Sequence, residues 1–596
     1  MAFADVPRHL FIILPVTALL LILQAPLSAR AGPGLYPPYD GSRTAAARTS
    51  TSQNGMVASA HPLATAAGIA MLKKGGNAVD AAVAVSFVIS VVRPHSTGIG
   101  GGGFLLLHEG GRKGVKVYDF RERAPTAARE TMFLDNKGDS RNFVYKGRVL
   151  KNASVNGHLS AGTPGLIAGL LMVHRNHGRL PLKTVMEPAI RAAAGGFAVY
   201  PSLAAAIRSR AGVLEQFEDS RRIFMPGGRI PSPGHQLIQA DLARTLGRIA
   251  AGGADAFYKG EIARRIIAEM QDGGGIISAA DLRDYRVRMR EPVRGTYRGY
   301  EIYSMPPPSS GGVHIIQMLN ILEGWPLAKF AHNSPAMIRL VAEAMRLAYA
   351  DRARYLGDPD FVKVPVKGLV SKKYATALRK KIPARGAGNS RKIFKGNPAD
   401  YESPSTTHLS VVDQWDNAVS STQTINLAFG SGVVIRGTGI VLNNEMDDFS
   451  KKPGMPNAFG LTGGKANAIK ARKTMLSSMS PTILFDGKGR PVMILGSPGG
   501  SRIINATLQT IINKVDYGFT PAEAVQAWRF HHQWLPDKLF LEKGGFSAPV
   551  MRALTTMGYT VQESQRSVGD VQAIFRTASG WTGASDTRSD GRPQGI

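Results

Sequence analysis

A threonine pair in the second half of the chain offers a nucleophile. Thr406 and Thr407 open the stretch 406–413, whose alternating, β-branched residues predict a short strand. Spacing alone favours an ordinary surface strand. A cut just before Thr406 would change its chemistry, because a free α-amino group would then lie beside the residue's own hydroxyl and could act as its general base. The unperturbed pKa of an α-amino group is about 7.7–8.0, so this group can take the hydroxyl proton near neutrality.

A glycine-rich turn further along the chain could stabilise negative charge. Residues 496–501 follow a predicted strand at 492–495 and lead into a helix predicted from Arg502. Consecutive backbone N–H groups at such a turn form an anion-binding site. The same donors suit a phosphate or the oxyanion of an acyl-transfer intermediate, and a turn that only caps the helix accounts for the pattern equally well.

Other polar clusters are less specific. Residues 443–449 pack three carboxylates and two amides into one turn, but they lack His and the calcium-loop spacing, so they could bind a substrate ammonium group instead of a metal. The hydroxyls of residues 477–481 and the guanidinium of Arg121 are uninformative when taken alone. His531 and His532 are adjacent, and adjacent side chains point apart in regular structure, which favours a structural role.

Two common enzyme motifs find little support. Residues 98–103 match G-x-G-x-x-G, but a helix precedes them and an apolar strand follows, whereas a dinucleotide site needs the reverse order. Close backbone packing of this turn is the better interpretation. No serine lies in a G-x-S-x-G elbow, so a Ser-His-Asp hydrolase is unsupported.

Composition narrows the function classes. The chain has 596 residues, of which 43% are hydrophobic and 19% charged, an ordinary globular balance. It has no cysteine, which excludes cysteine nucleophiles, zinc–thiolate sites and iron–sulfur clusters. The net charge of +30 indicates attraction to anionic surfaces or polyanions. No zinc finger or aromatic-interleaved basic strand favours nucleic acid as a partner.

The N-terminus resembles a targeting segment. Arg8 precedes the apolar run 10–23, and residues 29–31 (Ala-Arg-Ala) supply a small-x-small cleavage pattern. We therefore predict a signal peptide over residues 1–31, with a retained membrane anchor as the alternative. No later segment has the apolar length of a transmembrane helix. The predicted location is the periplasm or the cell exterior.

Hydrophobic periodicity predicts strands between helical layers, an α/β or α+β architecture. Residues 372–404 are polar, contain Gly and Pro and have no persistent period, which predicts an exposed, cleavable linker. Helices are predicted at 61–74, 78–92, 166–174, 182–194, 242–249, 336–355, 502–515 and 521–527. Strands are predicted at 104–108, 115–119, 293–304, 409–412, 418–427, 440–442, 481–485 and 492–495.

An ordered set of motifs resembles the γ-glutamyltranspeptidase family, from residues 55–59 through 583–586. No single motif is decisive, but their order is specific. The matching segments are 75–82, 98–104, 119–122, 306–312, 406–413, 443–449, 477–481 and 496–502. The resemblance implies an N-terminal-nucleophile hydrolase fold, an αββα sandwich of two stacked sheets between helical layers.

The resemblance also implies a proenzyme that cuts itself between Ser405 and Thr406. The large subunit would comprise residues 32–405, with its C-terminal linker at about 372–405, and the small catalytic subunit would comprise residues 406–596. The two would remain together as a heterodimer. The implied activity is γ-glutamyl hydrolysis and transfer, with glutathione as donor, water or an amino acid or peptide as acceptor, and neither cofactor nor metal.

Individual roles follow from the matching motifs. Thr406 would be the nucleophile, Thr424 would position it, and Gly499 and Gly500 would supply oxyanion-hole N–H groups. The α-carboxylate of the substrate would be bound by Arg121, Ser477 and Ser478, and its α-ammonium by Asn426, Glu445 and Asp448. A zwitterionic end needs one cationic and one anionic partner, and this set contains both.

One departure concerns the segment 453–464, which resembles a lid loop present in some family members. Its gating aromatic is commonly Tyr, whereas Phe459 stands here, so a hydroxyl hydrogen bond is lost and looser closure is expected. The nearest alternative function is a cephalosporin or glutaryl amidase on the same scaffold, although those acyl groups lack the α-ammonium. A non-catalytic, basic envelope protein that binds polyanions is the alternative of another class.

Overall fold

The computed structural model describes Met1 and residues 48–393, 406–564 and 566–596. The predicted signal peptide after Met1 and the linker portion 394–405, with Ser405, lie outside the described residues. Two seven-stranded sheets, antiparallel throughout, form the centre of the described molecule. The predicted α+β class is confirmed.

The first sheet contains three strands that precede residue 406 and four that follow it. In spatial order they are Arg48–Ser52, Gly580–Ser585, Gln572–Thr577, Pro491–Gly496, Thr482–Phe485, Tyr300–Ser304 and Val293–Tyr297.

The second sheet also combines strands from both sides of residue 406. Its strand Thr407–Val412 lies near the middle. In spatial order the strands are Gln594–Gly595, Met56–Ser59, Thr407–Val412, Ala418–Thr424, Gly102–His108, Lys116–Phe120 and Arg288–Arg290. The central strands are buried on both faces, as expected for a sheet between two layers.

An apolar core joins the two sheets, with Met56, Phe104, Ile494 and Ile574 among its members. Helices cover the outer faces, so the layers run helix, sheet, sheet, helix. The helices Pro62–Lys73, Ala78–Val92 and Leu166–His177 pack on the second sheet, and Gly311–Leu322, Arg502–Val515 and Pro521–Gln526 pack on the first.

Local sequence explains the helix Ala78–Val92, which is buried along its whole length. Asn77 caps it and accepts hydrogen bonds from the backbone N–H groups of Val79 and Asp80, while the Asp80 carboxylate accepts from the N–H of Asn77. This reciprocal pair is a capping box. Small and β-branched side chains let the helix approach both the sheet and neighbouring helices.

The remaining elements lie outside the two large sheets. The other helices are Leu182–Gly195, Pro201–Leu214, Glu218–Phe224, Ala240–Tyr258, Glu261–Gly273, Ala279–Arg283, Pro335–Tyr355, Val366–Leu369, Lys372–Arg379, Ser390–Ile393 and Ala548–Thr556. Short sheets pair Phe143–Tyr145 with Arg148–Leu150, Phe197–Ala198 with Gln236–Leu237, Val434–Ile435 with Ile440–Val441, and Leu539–Glu542 with Phe530–His531 and Val561–Ser564.

The prediction of an exposed linker without regular structure over 372–404 is wrong for Lys372–Arg379, which forms a helix. Ser371 caps the helix Lys372–Arg379, which buries Ala375 and Leu378 at a spacing of three residues. Further on, the indole N–H of Trp534 donates to the carbonyl of Ser390 at 3.1 Å. The many Lys and Arg residues masked this short apolar stripe, because they occupy the exposed side of the same helix.

Among the residues that the structure describes, no helix combines the length and the apolar character needed to cross a membrane.

Candidate functional site

Thr406 lies directly before the strand Thr407–Val412 of the second sheet. In the adjoining strand Gln423 is the partner of Thr407, and this register places Thr424 beside Thr406. Both threonines line a cavity and both are buried. The pairing of two central strands therefore sets the position of the predicted nucleophile.

The cavity has a volume of about 20 Å³ and collects residues from distant parts of the chain. Ten of the residues predicted for the site line it. They are Arg121, Thr406, Thr424, Asn426, Glu445, Asp448, Phe459, Ser477, Ser478 and Gly500. Gly499 adjoins Gly500 in the chain. The structure thus brings the predicted set together, while the role of each residue stays a prediction.

Arg121 is the charged centre of one wall. It follows the strand Lys116–Phe120, and its backbone carbonyl accepts a hydrogen bond from the hydroxyl of Tyr285 at 2.8 Å. Its guanidinium contacts Glu445 (Nη1 to Oε2, 2.8 Å) and Asp448 (Nη2 to Oδ2, 2.6 Å). Opposite charges therefore meet in a buried site, where they interact more strongly than in water.

Burial shifts the pKa values of the acidic groups in this wall upward. It raises the pKa of Asp448 to about 6 and that of Glu122 to about 8, against the opposing effect of Arg121. The pKa of Glu445 is also raised by burial. These carboxylates stand close enough together to disfavour full ionisation of all three.

Thr424 and Asn426 form a short polar bridge between the sheet and the acidic turn. The hydroxyl of Thr424 accepts from the backbone N–H of Asn426 at 2.7 Å, and the Asn426 amide group donates to the carbonyl of Asn444 at 3.0 Å. Asn426 has a positive φ of 74°, a conformation that Asn tolerates better than most residues. Its side-chain oxygen remains the acceptor that an ammonium group would need.

The glycine turn lies between the strand Pro491–Gly496 and the helix Arg502–Val515. Gly499 and Gly500 have φ values of 131° and 57°, which L side chains rarely adopt. A Cβ atom on Gly500 would approach the ring of Phe459 to 2.2 Å. Glycine is therefore required here, and the turn can present backbone N–H groups to an oxyanion.

Phe459 covers this turn and is itself 6% exposed. Hydrogen bonds anchor its loop: among them, Asn457 donates to Asp448 (Nδ2 to Oδ1, 3.0 Å), and Gln533 donates to the carbonyl of Phe459 (Nε2 to O, 3.3 Å). These contacts hold the segment without the hydroxyl group that a tyrosine would supply.

Sequence reasoning missed four residues of the cavity wall: Arg352, Leu461, Met479 and Ile503. Arg352 had a usable signal. It belongs to the helix Pro335–Tyr355 and lies three and four residues after the buried Tyr349 and Ala348, so it is a charged residue within an apolar stripe. Such a residue is rarely buried without a partner or a function.

Other predictions from the sequence are resolved by packing. A Cβ atom on Gly101 would lie 2.1 Å from the carbonyl oxygen of Thr424, which confirms close backbone packing in the turn 98–103. His531 and His532 are buried and contact Gln533 and Asp537, respectively. In the described parts of the chain, no group of three His, Asp or Glu side chains is arranged as metal ligands would be.

Comparison with known proteins agrees with this arrangement. The family model described as Gamma-glutamyltranspeptidase matches residues 64–596. The glutathione hydrolase proenzyme of Escherichia coli strain K12 is 47% identical over 539 residues, which cover 90% of this chain and 91% of that protein.

Acylases are also among the relatives. The acylase ACY 1 proenzyme of Pseudomonas sp. strain SE83 is 39% identical over 553 residues, 92% of this chain and 95% of that protein. The solved structure of cephalosporin acylase from Bacillus halodurans superposes with a TM-score of 0.78 at 29% identity, covering 92% of this chain and 97% of that one.

These matches overturn the alternative of a non-catalytic, polyanion-binding protein, because the chain matches enzymes over most of their length. They also confirm the predicted fold. The glutathione hydrolase and acylase relatives are both named as proenzymes. The chain belongs to the γ-glutamyltranspeptidase family of hydrolases and transferases, and it has the N-terminal-nucleophile hydrolase fold.

Proposed function

We propose that the chain is an exported, self-processing enzyme that cleaves and transfers γ-glutamyl groups, with glutathione as a donor and Thr406 as the nucleophile. The observation that carries this proposal is the joint presence of Thr406, the turn at Gly500 and the oppositely charged Arg121 and Asp448 around one cavity. A hydroxyl, an oxyanion-binding turn and a binding site for a zwitterion are the three parts that the reaction needs.

The proposed reaction begins once cleavage between Ser405 and Thr406 has freed the α-amino group. That group takes the proton of the Thr406 hydroxyl, and Oγ1 attacks the γ-carbonyl carbon of the substrate. Backbone N–H groups of Gly499 and Gly500 stabilise the resulting oxyanion. The amide C–N bond then breaks, the leaving amine takes the proton, and a γ-glutamyl-Thr406 ester remains.

The ester is resolved by a second nucleophile. Water attacks the ester carbonyl and releases glutamate, or the amine of an amino acid or peptide attacks and takes the γ-glutamyl group. In either case the proton of the incoming nucleophile returns to the Thr406 oxygen through the α-amino group. Thr424, hydrogen-bonded to Asn426, lies where it can orient the Thr406 side chain.

Substrate recognition follows from the charges. Arg121, Ser477 and Ser478 would hold the α-carboxylate, because a guanidinium and two hydroxyls are matched donors for its oxygens. Asn426, Glu445 and Asp448 would hold the α-ammonium. Arg121 contacts Glu445 and Asp448 in the absence of substrate. When the substrate binds, these ion pairs must either break or coexist with the contacts to its α-carboxylate and α-ammonium groups.

Substitution of Thr406 tests the nucleophile. Thr406→Ala should leave a single uncut chain and lower γ-glutamyl anilide hydrolysis by at least about 1,000-fold, since both steps need the hydroxyl. Thr406→Ser should retain processing. Intact-mass measurement and a chromogenic assay give the two readouts.

Thr407→Ala is the matched control. Thr407 is also buried, and its hydroxyl has no hydrogen-bond partner among the residues that the structure describes. This control should process and retain activity. A Thr406→Ala protein that still ran as two subunits would refute the assignment.

An acylase of the cephalosporin or glutaryl type is the second candidate, favoured by the relatives that bear acylase names. A glutaryl group is a γ-glutamyl group without its ammonium, so the acids at Glu445 and Asp448 would then have no substrate partner. Wild-type turnover of γ-glutamyl and glutaryl anilides separates the two functions. Faster glutaryl turnover would favour the acylase.

A further inference from the structure

Arg352 is a buried cation on the cavity wall that the proposed reaction does not yet use. It comes from the helix Pro335–Tyr355 and is 5% exposed. Within the described part of the chain it makes no ion pair at 4.0 Å or less, whereas Arg121 contacts both Glu445 and Asp448. The two guanidinium groups of the cavity are therefore in different electrostatic states.

The contacts of Arg352 are to neutral hydroxyls. Its Nε donates to the Ser310 hydroxyl at 3.0 Å, and its Nη2 donates to the Ser478 hydroxyl at 3.3 Å. The Ser310 hydroxyl in turn donates a hydrogen bond to the carbonyl of Ser477 at 2.8 Å. Burial lowers the pKa of Arg352 to about 10, as expected for a cation with incomplete compensation.

An incompletely compensated buried charge destabilises the fold unless a ligand completes it. The anion must be small, because the cavity is small, and Ser477 and Ser478 line the same cavity as Arg352. Because a guanidinium can only donate, the Ser478 hydroxyl accepts a hydrogen bond from Arg352. The O–H of Ser478 must therefore point toward another acceptor. A carboxylate between Ser478 and Arg121 would accept a hydrogen bond from the Ser478 hydroxyl.

We propose that Arg352 determines specificity for an α-carboxylate: it adds its positive charge to that of Arg121, which Glu445 and Asp448 partly offset, and it orients Ser478 as a donor. This inference rests on the proposed γ-glutamyl function. It adds a second cation to the carboxylate site. On this proposal, Arg352 distinguishes ligands by whether they carry an α-carboxylate and not by their overall shape.

Direct binding tests the proposal with two ligands that differ only in the α-carboxylate, L-glutamate and 4-aminobutanoate. In titration calorimetry of the processed enzyme, Arg352→Gln should weaken L-glutamate binding at least about tenfold, the size expected for a lost hydrogen bond to a charged group. Binding of 4-aminobutanoate should change less than about threefold. Arg352→Lys, which keeps the charge, should fall between wild type and Arg352→Gln.

Arg354→Gln is the matched control, since Arg354 lies on the same helix but is exposed. It should bind both ligands as wild type does. If Arg352→Gln does not fold, Arg352→Lys carries the comparison, because it alters geometry while retaining charge. Equal weakening of both ligands, or no weakening of either, would overturn the proposal.

The outcome is separable from that of the proposed function. A wild-type enzyme that fails to hydrolyse γ-glutamyl anilides refutes the proposed function. A wild-type enzyme that hydrolyses them, while the Arg352 variants keep the wild-type ratio of the two affinities, refutes only the role of Arg352.

Discussion

At the scale of single residues, the site depends on charges held away from water. Arg121 and Glu445 are buried, and the contacting Asp448 side chain is only 10% exposed, so the ionisation of each depends on the others. A carboxylate that must bind an ammonium group is useful only when it is ionised. Under the proposed binding of the substrate ammonium group, the acidic wall therefore links substrate affinity to pH.

Asp448 gives this link a direction. Burial raises its pKa to about 6, so the carboxyl is protonated below that pH and ionised above it. We expect KM for a γ-glutamyl anilide to rise as the pH falls through about 6. Asp448→Asn should have a high KM with little dependence on pH, and Asp486→Asn, at a surface turn, should follow the wild-type profile.

Steady-state kinetics from pH 5 to 8 measure this, with protein stability checked at each pH. Folding stability depends on pH in the opposite direction from substrate affinity. A carboxyl whose pKa is raised on folding binds more protons in the folded state, so the contribution of Asp448 to stability falls as the pH rises from about 3.8 to about 6. A wild-type KM that does not change between pH 5 and 7 would contradict the proposed role of Asp448.

At the scale of elements, short segments outside the sheets shape the site. The loop around Phe459 closes over Gly500 and is anchored by Gln533. The helix Lys372–Arg379 packs near Gly311–Leu322, which belongs to the outer layer of the first sheet. This segment is a folded part of the molecule, although its composition predicts a linker.

Truncation of one buried side chain tests that statement. Leu378 is 2% exposed, so Leu378→Ala should lower the free energy of unfolding by about 2–5 kcal/mol, through lost burial and the cavity left behind. Thr376→Ala, on the exposed side of the same helix, should change it by less than about 0.5 kcal/mol. Urea unfolding of the Thr406→Ala precursor background measures both, and indistinguishable midpoints would mean that the segment is a linker.

At the scale of the whole molecule, the chain on either side of residue 406 is interleaved. Each large sheet contains strands from both sides, and Thr407–Val412 lies between Met56–Ser59 and Ala418–Thr424. Cutting one peptide bond leaves every one of these ladders intact. The two products therefore share one core.

The processed subunits should consequently stay together. We expect them to co-elute in gel filtration at the volume of the uncut Thr406→Ala precursor and to separate only in denaturant. Light scattering coupled to chromatography measures the mass of the complex. Elution as two separate species in native buffer would show that the sheets do not hold the products together.

Much of the fold could be predicted from local pattern. The helix Ala78–Val92 begins at a capping box and is long and apolar, and the strand Val293–Tyr297 alternates between buried and more exposed residues. The helix Lys372–Arg379 could not be predicted in this way, because its apolar face is short and lies among many charges.

The sequence by itself determined the family, the candidate nucleophile Thr406 and the residue types of a zwitterion site, because these are carried by motifs in a specific order. Only the tertiary structure decided that Arg121 contacts Asp448, 327 residues away, and that Arg352 contacts Ser478, 126 residues away. Local pattern cannot predict such pairs, since burial and the packing of the layers bring them together. The electrostatic difference between the two arginines arises from the same packing.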